Sequence, residues 1–154
     1  MGVNPAQAVA TMSRIIEEAE VSKFDDVDQS RQVLLGFGGD GEALAASAAM
    51  LSRLVDAKAI VAASFTGQSA RLISRAHVEI PIFAGSPDER AVRQLNLSWG
   101  VLPVRVPLSK KPESVLVALM AHAKKILRLK RGDKVVFVSG LKTGLPHFQN
   151  LIGV

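Results

Sequence analysis

The sequence contains no cysteine and no tyrosine, and only one tryptophan. The missing cysteines exclude a disulfide framework, a thiolate nucleophile and any cysteine-based metal site. Aromatic residues make up 5% of the chain, mostly six phenylalanines, too few for a platform on which nucleic-acid bases stack. Long apolar runs are absent too; none exceeds strand length, so no membrane span is expected. The first ten residues lack the basic region and apolar core of a secretory signal. With no cysteines and no signal, a cytoplasmic location is expected.

What remains is ordinary for a folded domain. The 154 residues are 48% hydrophobic and 21% charged, enough for one substantial core. The net charge of +5 is unevenly spread. Up to Glu42 there are eight acidic and three basic residues; beyond it there are six acidic and sixteen basic. A basic body suits an anionic partner, and solvated helix faces give the same composition. No nucleic-acid motif accompanies the basic residues, so nucleic acid is not an expected partner.

Asn4 and Pro5 suit a helix start, and Ala8, Val9, Met12, Ile15, Ile16 and Ala19 continue it at helical spacing to about Glu20. An acidic stretch with Asp25, Asp26 and Asp28 reads as a linker. Gly36 and Gly38 have the spacing of a dinucleotide loop, but Gly39 and Gly41 break that fingerprint, leaving a connection as the simpler reading. An alanine-rich helix is expected over 42–55. From there apolar strands alternate with helices: strands over 59–63, 80–84, 100–106 and 134–138, a last one over 150–154, and helices over 69–76, 87–97 and 113–129. Gly132 is the expected cap of the long helix. Buried strands alternating with helices predict an α/β domain with a parallel sheet.

One stretch stands out. The apolar run Ala59-Ile60-Val61-Ala62-Ala63 ends in Ser64-Phe65-Thr66-Gly67-Gln68-Ser69, and a helix pattern follows. Strand, small polar turn and helix start together form an anion cradle, because free N–H groups and the helix dipole meet there. The bland alternative is a turn that only caps the helix. No catalytic set competes with it. His77, His122 and His147 have no metal-ligand spacing, so no metal is expected. Of the three, His147 alone merits testing as a ligand contact. His77 fits a helix cap, His122 a helix surface, and Trp99 a core or interface position at the start of a strand.

Three blocks of residues resemble one family. The first is Gly2, Pro5, Ala8, Val9, Met12, Ile15 and the pair Ala19-Glu20. The second is Ala57-Lys58-Ala59-Ile60-Val61 through Thr66-Gly67-Gln68-Ser69-Ala70-Arg71, with Ile80-Pro81-Ile82 and Trp99-Gly100-Val101-Leu102-Pro103-Val104. The third is Gly132-Asp133-Lys134-Val135-Val136 with Ser139-Gly140 and Asn150. Together they resemble the C-terminal domain of pyruvate kinase, preceded by the last helix of that enzyme's barrel. The resemblance divides the chain into a barrel-like helix over 1–20, a linker over 21–41 and a C-terminal-like domain over 42–154.

It implies a three-layer α/β sandwich with a five-stranded, mostly parallel sheet of order 3-2-1-4-5, the last strand antiparallel. Loops after strands one and four then meet at the topological switch point, where such sheets bind ligands. In regulated members the first loop, roughly Thr-x-Ser-Gly-Arg-Ser or -Thr, holds a phosphate of a sugar-phosphate effector. The resemblance therefore marks Ser64, Thr66, Gly67, Gln68 and Ser69 as phosphate-binding, with Lys142, Thr143 and Gly144 from the second loop. Gln68 stands where the family commonly has arginine, and Lys142 would supply the missing charge. The family's catalytic carboxylates, lysine and arginine lie upstream of Gly2, so this chain alone is not expected to transfer phosphate from phosphoenolpyruvate to ADP, and no cofactor is expected.

The expected function is thus a non-catalytic regulatory domain binding a phosphorylated metabolite. The alternatives are a regulatory part acting with a separate catalytic chain, and a flavin- or nucleotide-binding protein. A homo-oligomer is expected, because the first helix needs cover for its apolar face and the closing strand presents an edge.

Overall fold

The computed structural model describes residues 4–21, 39–107, 112–139 and 151–154. Its helices are α1 (Pro5–Glu20), α2 (Asp40–Leu54), α3 (Gln68–Ser74), α4 (Glu89–Leu95) and α5 (Pro112–Leu127). Its strands are β1 (Ala59–Ala63), β2 (Ile82–Ser86), β3 (Val101–Arg105), β4 (Val135–Ser139) and β5 (Leu151–Gly153). The strand order is β3-β2-β1-β4-β5. All pairs are parallel except β4 with β5. The fold expected from the resemblance is the fold observed.

Strand β1 is central because it can be apolar on both faces. All five of its residues are buried. Ile60 and Ala62 point to one side, into a cluster with Ala45, Ala48 and Ala49 of α2, Ala70 and Ile73 of α3, and Leu95 of α4. Ala59, Val61 and Ala63 point to the other, toward Val115, Leu119 and Ala123 of α5. The small side chains on α2 let that helix lie close to the sheet. The result is three layers, helices on both faces of one sheet.

Several boundaries differ from the sequence expectation, each for a local reason. Strand β2 begins two residues late, after Pro81, whose carbonyl accepts from Ile60 N at 3.0 Å but whose ring nitrogen has no proton to give. It runs on through Gly85 and Ser86, which pair with Val104 and Arg105. Helix α4 is shorter than expected because Asp88 is its cap rather than part of its first turn, accepting from Arg90 N at 2.8 Å. Gly132 does not cap α5. Arg128 takes the left-handed position instead (φ 52°), and Leu129 N reaches back to Lys124 O at 3.2 Å. Asn4 occupies the N-cap position of α1 without a side-chain cap bond. Its ψ of 70° lies outside the extended region from which a cap side chain reaches the first turn.

No residue of α1 is buried. Val9, Met12, Ile15 and Ile16 are each more than half exposed. The apolar stripe read from the sequence is therefore real but does not rest on the domain. Among the described residues no helix is long and apolar enough to cross a membrane.

Candidate functional site

Strand β1 ends between two neighbours, with Ala63 in register with Gly85 of β2 and Ser139 of β4. The chain therefore leaves β1 and β4 side by side, and Ser64 starts at the switch point of the sheet. Ser64 N donates to Gly85 O at 3.0 Å, and the residue is buried. Phe65 then turns its ring outward while its carbonyl accepts from Ser86 Oγ at 2.6 Å.

Thr66 is exposed, and Gly67 sits at the N-cap position of α3 in the left-handed conformation (φ 75°). Two constraints hold a glycine here: the positive φ, and Leu95, whose side-chain atoms would lie 3.0–3.2 Å from an added Cβ. Gly67 has no side chain to cap α3, and among the described residues no other side chain takes that place. Gln68 is exposed and Ser69 half-buried.

The structure thus brings Ser64, Thr66, Gly67, Gln68 and Ser69 onto one turn, but at different depths. Ser64 is on the inside and Thr66 on the outside. Lys142, Thr143 and Gly144, with His147 and residues 36–38 of the glycine-rich stretch, lie outside the described residues. The charge missing at Gln68 has a counterpart nearby: Arg71, one turn on, donates from Nη2 to Thr66 O at 3.0 Å. Its signal in the sequence is its spacing, since residues three apart share a helix face.

Ser86 is a second residue that the sequence does not single out. Fully buried, it donates to Phe65 O and accepts from Asp88 N at 3.1 Å, so it ties the 64–69 turn to the start of α4. The Ser-Pro-Asp run after an apolar strand is the available clue.

The other candidates separate. His122 is exposed, with Nδ1 2.9 Å from the carbonyl of Ala118. Trp99 lies in the turn before β3, half-buried, and stacks on His77 with ring centroids 5.0 Å apart. Among the described residues no group of three His, Asp or Glu side chains is placed to hold a metal ion. An open cleft of about 640 Å³ lies along the outer face of α3; Gln68 and Arg71 line it, whereas Ser64, Thr66 and Ser69 do not.

Comparison with known proteins gives a consistent result. The family model described as pyruvate kinase, alpha/beta domain, matches residues 42–154. The pyruvate kinase of Eimeria tenella is 31% identical over 155 residues, covering 99% of this chain and 29% of that protein. The pyruvate kinase of Staphylococcus aureus (strain USA300) is 31% identical over 153 residues, covering 99% of this chain and 26% of that protein. The chain therefore spans less than a third of the length of these relatives. Among solved structures, a pyruvate kinase from Cryptosporidium parvum superposes with a TM-score of 0.77 at 28% identity, over 99% of this chain and 30% of that one. A second structure, described as the Cryptosporidium parvum enzyme in complex with ADP, gives a TM-score of 0.69 at 30% identity over 75% of this chain and 23% of that one.

Proposed function

The chain belongs to the pyruvate kinase α/β-domain family, and from that premise we propose that it is a regulatory module whose 64–69 turn takes the phosphate of a small phosphorylated metabolite. The observation that carries this reading is the position of the turn. It leaves the central strand beside the end of β4 and leads into a helix whose N-cap residue, Gly67, has no side chain to cap it. Helix N–H groups and the Thr66 and Ser69 hydroxyls are donors that suit a phosphate. Each charge-assisted hydrogen bond contributes ~1.5–3 kcal/mol, so a few suffice for a metabolite. Lys142, Thr143 and Gly144 belong to the same reading as further phosphate-binding residues. In this view residues 1–20 stand for the last barrel helix, 21–41 for a linker and 42–154 for the module, in a cytoplasmic glycolytic setting.

A second reading rests on α1. Its exposed Val9, Met12, Ile15 and Ile16 need a partner surface. A catalytic barrel chain, or another copy of this chain in a homo-oligomer, would supply it. The chain would then regulate phosphoryl transfer from phosphoenolpyruvate to ADP without performing it.

Thermal-shift titration with inorganic phosphate and hexose phosphates tests the site. Stabilisation that rises with ligand concentration, and is lost in the Thr66→Ala/Ser69→Ala double variant, is the expected result. A shift that survives both substitutions removes the turn from the site. In a lactate dehydrogenase-coupled assay the chain alone is expected to give no turnover; turnover above background would sink the non-catalytic reading.

A further inference from the structure

The cleft on the outer face of α3 has a composition that the phosphate turn does not explain. One wall is helical: Gln68, Arg71 and Leu72 of α3 and Arg75 at its C-cap share one face by their spacing. The opposite wall is the turn carrying Leu97, Ser98 and Trp99. At about 640 Å³ the cleft has the size of small-molecule sites, and it pairs apolar surface with a few converging polar groups.

The aromatic wall is fixed in place. Ser74 Oγ donates to the Trp99 carbonyl at 2.8 Å, and the His77 ring stacks on the indole, tilted by 21°. His77 holds a left-handed backbone (φ 42°), a conformation uncommon for a residue with a side chain. The corner from Ser74 to His77 and the turn at Trp99 are thus one locked unit.

Among the described residues the cleft is lined by two guanidinium groups, Arg71 and Arg75, and one carboxylate, Glu42. Arg75 faces Glu42, but at 3.8 Å. Arg71 gives one N–H to a neutral carbonyl, and among the described residues no carboxylate forms a salt bridge with it. A guanidinium with donors to spare, lining the same cleft as an indole and a leucine that is 92% exposed, matches an organic anion rather than an inorganic one.

We propose that this cleft is a second ligand site, distinct from the Thr66 and Ser69 hydroxyls of the neighbouring turn, for a small organic anion whose flat apolar body lies against Trp99 and Leu97 and whose carboxylate or phosphate head is held by Arg71. The proposal does not depend on phosphate binding at the turn.

Trp99 is the only tryptophan in the sequence, so intrinsic fluorescence reports on this cleft alone. The full chain is titrated with phenyl phosphate, with benzoate and with neutral benzyl alcohol. A saturable change with at least one anion, and none with the alcohol, is expected; the preferred anion tells a phosphate head from a carboxylate head. Arg71→Gln should weaken binding about tenfold or more. Leu97→Asp, at a position too exposed to affect folding, should weaken it as well. Thr66→Ala/Ser69→Ala should leave the titration unchanged, which separates this site from the turn's hydroxyls. No saturable change with either anion, an equal response to the alcohol, or an unchanged midpoint in both Arg71→Gln and Leu97→Asp would overturn the proposal.

Discussion

Leu119 of α5 lies directly over Gly85 of β2: a Cβ added to Gly85 would stand 2.6 Å from Leu119 Cδ1 and 2.7 Å from Cδ2. Leu119 is fully buried, so it can make way only by repacking against its neighbours. Gly85→Ala is therefore expected to destabilise the fold by about 1–3 kcal/mol through overpacking. Denaturant melts of Gly85→Ala, Leu119→Ala and the double variant check this. The double variant should lose less than the two single losses together, because each change makes room for the other.

Gly67→Ala should also destabilise, for a different reason. The left-handed backbone disfavours any side chain, and Leu95 meets the new methyl group. A loss of about 1–3 kcal/mol in denaturant melts is expected. Leu95→Ala should recover only part of it, because the backbone cost remains.

Ser86→Ala removes a buried hydroxyl with two partners. The Phe65 carbonyl and the Asp88 N–H would each be left without it, at a cost of about 1–3 kcal/mol. Amide exchange should quicken in the 64–69 turn and at Asp88 while β1 stays protected. Uniform quickening across the sheet would contradict the tie assigned to Ser86.

At the other end of β1, Lys58 Nζ lies 2.9 Å from Asp56 Oδ2. The hydrogen bond from Lys58, and then its charge, hold the Asp56 carboxyl below its ordinary 3.8. The same pair raises Lys58 above 10.5. The Asp56 contribution to stability is present above pH 3.8 and lost as pH falls through the lowered value. The Lys58 contribution is present below pH 10.5 and lost as pH rises through the raised value. Both side chains are exposed, so the effect is small and screened by salt. Asp56→Asn keeps a residue that tolerates φ 52° and should slightly flatten both limbs of a melting-temperature profile against pH at low salt.

The sheet was legible in the sequence wherever burial set the pattern. Ala59-Ile60-Val61-Ala62-Ala63 reads as a buried strand, and its observed limits match the expected ones. Where turn chemistry decides, the sequence was less informative. The Ser86-Pro87-Asp88 run fits a helix start, but nothing local says that Ser86 reaches across to Phe65. Arg128 is not a residue type that advertises a left-handed helix end, so Gly132 drew the prediction. The turn at 64–69 was found by its pattern, whereas the cleft beside it was not. That cleft needs Trp99 to meet His77, and two residues far apart in sequence come together only once β2 and β3 have paired.

The register of β1 has a consequence for the order of folding. Its partner on one side, β2, follows soon in the chain; its partner on the other, β4, arrives only after β3 and α5. Closing the longer loop costs more chain entropy before any contact repays it. The β1–β2–β3 unit should therefore assemble first, leaving one flank of the central strand open until β4 docks. Substitutions at Ile82 or Phe83 should slow folding, and those at Val136 or Val138 should chiefly hasten unfolding, a contrast that stopped-flow chevrons can read directly.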